Sequence, residues 1–99
     1  MKRKRPWSTV RPIRVPTPEV LLFRRALGQR IREFRERRGI TQAKLARMLG
    51  FNVNTMQFRE VGRRAIPVDD LYLTAQALGV TVRQLIPLEV PGEYDELRR

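Results

Sequence analysis

The chain contains no cysteine and no histidine. The first absence removes disulfides and thiolate zinc sites, and the second removes the commonest general base and metal ligand. Serine is almost missing as well: Ser8 is the only one, and it lies among the prolines and cations of the first 18 residues. No glycine-rich loop of phosphate-cradling type is present. The adjacent pair Asp69 and Asp70 diverges by about 100° on a helix and cannot converge on one substrate atom, which leaves helix capping as its reading. These absences argue against an enzyme and call for no metal or cofactor. No run approaches the ~18 apolar residues needed to cross a bilayer, and the basic start is followed by proline and polar residues instead of an apolar signal core. The chain is therefore expected to be soluble and cytoplasmic, with no membrane partner.

Positive charge is what the sequence has in excess. The net charge is +11 over 99 residues, and 18 of the 21 cations are arginine. Its distribution is uneven: residues 1–18 carry six basic and no acidic groups, 19–86 carry thirteen against six, and 87–99 carry two against four. A field concentrated on the first two segments points to a polyanion as partner. The hydrophobic fraction, 41%, suffices for one small core in a chain of this length.

Periodicity divides the chain in the same places. Residues 1–18 hold four prolines and no helical or strand period, and read as a disordered basic arm, either a solvated tail or a segment that tracks phosphates with Trp7 as an anchor. Glu19 to Arg38 reads as a helix with Val20, Phe23, Leu27, Ile31 and Phe34 as its core stripe. Thr41 caps a second helix carrying Leu45, Met48 and Leu49, and Gly50 breaks it. Asn52 caps a third, which ends near Gly62. A fourth runs from Val68 to Leu78, with Val68, Leu71, Ala75 and Leu78 facing inward and Pro67 as its first helical position. Thr81 and Gln84 form the capping box of a short fifth helix reaching Ile86, with Val80 and Leu85 as a hydrophobic staple. Residues 87–99 read as a tail. Helix, tight turn, helix and basic loop over Thr41 to Arg64 is the pattern of a DNA-reading unit.

Those residues resemble a known family. Phe34-Arg35 before Gly39-Ile40-Thr41-Gln42, then Leu45-Ala46, Leu49-Gly50, Thr55-Met56, Glu60-x-Gly62-Arg63-Arg64 and Ala75-x-Ala77-Leu78-Gly79-Val80 are similar to the landmarks of the Cro/CI (XRE) regulators. The likeness covers about 60 of 99 residues. It implies an all-α, five-helix lambda-repressor-like domain in a dimeric transcriptional regulator, a repressor by expectation, bacterial or phage-encoded, whose third helix enters the major groove of duplex DNA. Carried over by position, it implies phosphate contacts from Gln42 and Asn52, base reading by Val53, Asn54, Gln57 and Phe58, and a buried ion pair between Arg35 and Glu60. Arg63 and Arg64 join the phosphate set from the basic loop. Homodimerisation, at least on DNA, falls to Val82, Leu85, Ile86 and Leu88.

Two positions depart from the family pattern. Arg59 stands where an apolar residue usually precedes the glutamate, with Phe58 one place earlier, and Leu73-Thr74 inverts the usual polar-apolar order of the fourth helix. Both swaps are expected to turn a large apolar side chain outward, unless the helices shift in phase. Phe58 and Leu73 together keep open a second function class, a protein-binding module such as an antitoxin or a transcription bridging factor.

The arm yields a direct test. Deleting residues 1–14 removes six cations. Affinity for duplex DNA should then fall for all sequences alike, and the salt dependence should flatten by up to about 0.9 per lost phosphate contact, as measured by titration over a salt series. An unchanged slope would make the segment a solvated tail.

Overall fold

The computed structural model describes residues 16–87. Among them it forms five helices and no strand: α1 (Pro18–Arg37), α2 (Gln42–Leu49), α3 (Val53–Glu60), α4 (Val68–Leu78) and α5 (Val82–Leu85). Each of the expected helices is present. The basic arm, Trp7, Leu88 and the tail residues lie wholly or mostly outside the described span.

Local chemistry sets the boundaries. α1 begins one residue earlier than its charge pattern suggests, because Thr17 accepts a hydrogen bond from the Val20 amide at 3.2 Å and Pro18 fits the first turn. Thr41 and Asn52 cap α2 and α3 in the same way, accepting from the amides of Lys44 and Thr55 at 3.0 and 2.9 Å. Gly50, at φ +83°, ends α2 in the left-handed conformation and lets the Phe51 amide reach back to the Ala46 carbonyl at 3.0 Å. The reciprocal Thr81 and Gln84 capping box opens α5. Pro67 does not occupy the first turn of α4; it precedes it as the cap position and offers no side-chain hydrogen bond.

The core is built from Leu27 and Ile31 of α1, Leu45 and Ala46 of α2, Met56 of α3, Leu71, Ala75 and Leu78 of α4, and Leu85 of α5. Phe23, Phe34, Leu49 and Val80 close its edges. Three expectations fail. Val68 is 80% exposed instead of inward-facing, because it opens α4 a turn before Leu71 meets the core. Met48 is likewise exposed. Leu85, expected at a dimer surface, is fully buried within its own protomer, since α5 is a single turn whose last residue is the one it buries in the core. The Val80 and Leu85 staple fits that burial. α5 is further fastened by Arg30 of α1, which donates through Nε and Nη2 to the Gln84 carbonyl at 2.8 and 2.6 Å.

Gly28, in the middle of α1, determines how closely α1 and α3 approach. A Cβ there would lie 2.4 Å from the backbone oxygens of both Arg59 and Glu60. The three nearest atoms are all backbone, so none of them can swing aside. Gly28→Ala should therefore destabilise the fold by about 1 to 3 kcal/mol through overpacking, against the roughly 1 kcal/mol that alanine gains over glycine from helix propensity. Urea denaturation checks the sign; a Gly28→Ala protein more stable than the parent would refute the close approach.

Candidate nucleic-acid interface

α2, its turn and α3 form the helix-turn-helix, and α3 divides into two faces. Met56 and Glu60 are buried, whereas Asn54, Gln57 and Phe58 are exposed and Val53 and Thr55 half-buried. Asn54 and Phe58 are four residues apart and stand on one line along the helix, with Gln57 beside them. The structure thus gathers three of the four positions expected to read bases on the outward surface and leaves Val53 at its margin.

The inward face is held by charge. Arg35 donates to Glu60 from Nε at 2.7 Å and from Nη2 at 3.1 Å, and its Nη1 donates to the Ile40 carbonyl at 2.8 Å. Both side chains are nine-tenths or more buried. Hydrogen bonding to the Glu60 carboxylate raises the Arg35 guanidinium pKa above its ordinary value against the opposing cost of burial, so the group is held ionised. Gln42, at the start of α2, completes the arrangement by donating from Nε2 to Glu60 Oε1 at 2.8 Å. One carboxylate therefore binds α1, α2 and α3 together. The amide nitrogen of Gln42 carries a second hydrogen for another acceptor. Asn52 is in the same position: its Oδ1 is used in capping Thr55, which leaves its NH2 group as a donor.

The basic loop after α3 is folded back on the helix. The amides of Arg63 and Arg64 both donate to the Phe58 carbonyl, at 2.8 and 3.3 Å. Arg64 Nη1 donates to Thr55 Oγ1 at 3.3 Å, and its guanidinium lies 5.8 Å from the Phe58 ring centre. Thr55 and the Arg64–Phe58 stack were not anticipated as parts of this surface. The threonine is only half-exposed, and a sequence does not show that a residue nine positions later returns to it.

The two departures resolve without a phase shift. Phe58 is 39% exposed and Leu73 44%, both outward. Arg59 takes the half-buried place of the usual apolar residue: its guanidinium stacks 4.5 Å from the Phe51 ring centre and donates from Nη2 to Asp70 Oδ2 at 2.9 Å, joining α3 to α4. Among the described residues its Nε and Nη1 have no hydrogen-bond partner. Thr74 is buried in the place of Leu73 and satisfies its hydroxyl by donating to the Asp70 carbonyl at 2.6 Å. Phe58 and Leu73 sit on separate helices, the first against Arg64 and the second on the outer side of α4. Of the positions expected at a dimer surface, Val82 and Ile86 are half-buried, Leu85 is enclosed, and Leu88 lies outside the described residues.

The buried pair generates a test. Arg35→Ala strands Glu60 in the interior, for which about 3 to 5 kcal/mol is the usual loss, whereas replacing both partners by apolar residues of similar volume, as in Arg35→Met with Glu60→Leu, should cost clearly less. Thermal and urea melts of the two variants check the order; an Arg35→Ala protein that melts like the parent would show the pair to be idle.

Residues 31–85 match the model of a family described as helix-turn-helix. Similar solved structures include the restriction-modification controller protein C.AhdI from Aeromonas hydrophila, 31% identical, with a TM-score of 0.60 over 63% of this chain and 94% of that one. The clp gene regulator ClgR from Corynebacterium glutamicum is 34% identical with a TM-score of 0.64, covering 69% of this chain and 71% of that one. The hypothetical transcription factor NHTF from Neisseria is 30% identical with a TM-score of 0.63, covering 87% and 99% respectively. No curated protein sequence matches the chain significantly.

Proposed function

This chain belongs to the XRE-like helix-turn-helix family of DNA-binding transcription regulators, and we propose that it is a repressor that reads duplex DNA with the outward face of α3. The observation that carries this reading is the division of labour on α3: Glu60 locks one side to Arg35 and Gln42, while Asn54, Gln57 and Phe58 are exposed on the other. A reading helix needs that rigidity, because base-edge hydrogen bonds discriminate only when the donors are held in register.

Asn54 and Gln57 can each pair with adenine N6 and N7, and Phe58 and Val53 can pack on thymine methyl groups, so the half-site is A·T-rich. Gln42 and Asn52, each with an amide hydrogen to spare, bind phosphate from the N-terminal ends of α2 and α3, and Arg63 and Arg64 do so from the loop. The chain acts as a two-fold dimer through the α5 surface around Val82 and Ile86, placing half-sites about 10 base pairs apart. C.AhdI and ClgR, described as a controller protein and a gene regulator, support the regulatory role.

A second reading uses the fold chiefly to hold another protein. Its support is the apolar outer side of α4, where Tyr72 is 56% and Leu73 44% exposed. The two readings part on one experiment. Duplexes selected from a random pool by the full chain should yield a palindromic A·T-rich consensus. Asn54→Ala should then cost about 1 to 3 kcal/mol at one base position and relax the preference there. Phe58→Ala should also lose DNA affinity. No enrichment, or a Phe58→Ala protein that keeps its DNA affinity and loses a co-purifying protein, would put the second reading first.

A further inference from the structure

The first three turns of α1 precede the residues 31–85 that match the family, and they carry a feature the helix-turn-helix does not explain. Arg24 falls on the stripe set by Val20, Leu27 and Ile31, where the helical period calls for a core residue. It is half-buried, and with Arg64 it borders a groove of about 210 Å3 floored by Val20, Phe23 and Ile66. The helix has run past the end of the core, and its inward face meets the loop between α3 and α4.

Gly62 fixes that meeting. Its φ is +84°, and a Cβ there would lie 2.7 Å from the Arg25 Cα and 3.1 Å from the Arg24 carbonyl carbon. The Arg24–Arg25 peptide thus rests on the loop one residue before Arg63 and Arg64. Four arginines leave two backbone segments that touch. Among the described residues the ion pairs are Arg32–Glu36, Arg35–Glu60 and Arg59–Asp70, and none of the four takes part. Arg64, turned by Thr55 and stacked on Phe58, carries the cluster to the edge of the reading face. Arg25, about 100° round the helix, lines a different groove with Glu33 and Glu36, whereas Arg24 and Arg64 share one whose lining holds no carboxylate among the described residues. Like charges so placed are unfavourable in the free protein and become favourable against a polyanion.

We propose that Arg24, acting with Arg63 and Arg64, holds the phosphate backbone of the DNA that flanks the bases read by α3. The footprint then extends past the half-site on the side of the α1 N-terminus. The proposal rests on the DNA-binding reading. It favours duplex over an acidic peptide because the cluster is continuous with the outward face of α3.

Salt-dependent titration of the full chain on its selected duplex tests it. Arg24→Gln should make the slope of log K against log salt shallower by about 0.9, the loss of one phosphate contact, equally on cognate and scrambled duplexes. Arg24→Lys should retain the parent slope. Shortening the flanks should weaken the parent more than the glutamine variant, in which Arg63 and Arg64 remain, and the flank series on the parent can still refute the proposal even if the glutamine variant loses helix in circular dichroism. A parent indifferent to flank length, or a folded glutamine variant with the parent slope, overturns this proposal alone; a parent that binds no duplex overturns the DNA-binding reading with it.

Discussion

The carboxylate of Glu60 is the point on which the arrangement of the helices depends. It is buried at the end of α3, and a charge so placed is costly unless it is paired and hydrogen-bonded. Two guanidinium nitrogens of Arg35 and the amide of Gln42 supply three such bonds. The remaining Arg35 nitrogen is engaged by the Ile40 carbonyl at the turn into α2, so one network joins three helices and a turn. Apolar packing of Ile31, Leu45 and Met56 supplies more of the stability, since each buried side chain of this kind contributes about 1.5 to 3 kcal/mol and tolerates small rotations. A hydrogen-bonded fork does not tolerate them. Its contribution is angular: it sets the rotation of α3 about its own axis and hence which residues face away.

Close approach makes the network possible. Gly28 lets the backbone of α1 lie against the last turn of α3, and Gly62 lets the following loop lie against α1 a turn earlier. Two glycines at successive contacts hold α3 and its basic loop to a single helix, while Arg59 adds a tie to α4 through Asp70. The outward side of α3 is left with two amides and a phenyl ring stacked by Arg64. Folding thereby uses one side of an eight-residue helix, and the other is the side proposed to meet DNA.

Much of this was legible in the sequence, for identifiable reasons. Caps are local: Thr41, Asn52 and the Thr81 and Gln84 box act within three residues, and all three appear as expected. The Arg35 and Glu60 pairing came from family resemblance, because nothing in periodicity tells that two charges 25 residues apart will meet. The errors fall where a residue's role depends on where the core ends. Val68 has the right phase for burial but lies beyond the core, and Leu85 looks like a surface anchor until the shortness of α5 makes it the plug. Arg59 shows the same limit from the other direction. A cation in an apolar position is readable as a departure, but the Phe51 ring and Asp70 that accommodate it come from other segments.

The central claim is that the network presents the outward side of α3 to duplex DNA, and amide chemical-shift mapping of the full chain during titration with a selected duplex tests it most directly. The account predicts the largest perturbations at Asn54, Gln57 and Phe58, with accompanying shifts at Gln42, Asn52 and the Arg63–Arg64 loop, and little change along α4. Perturbations centred on Tyr72 and Leu73 instead, with α3 silent, would contradict it.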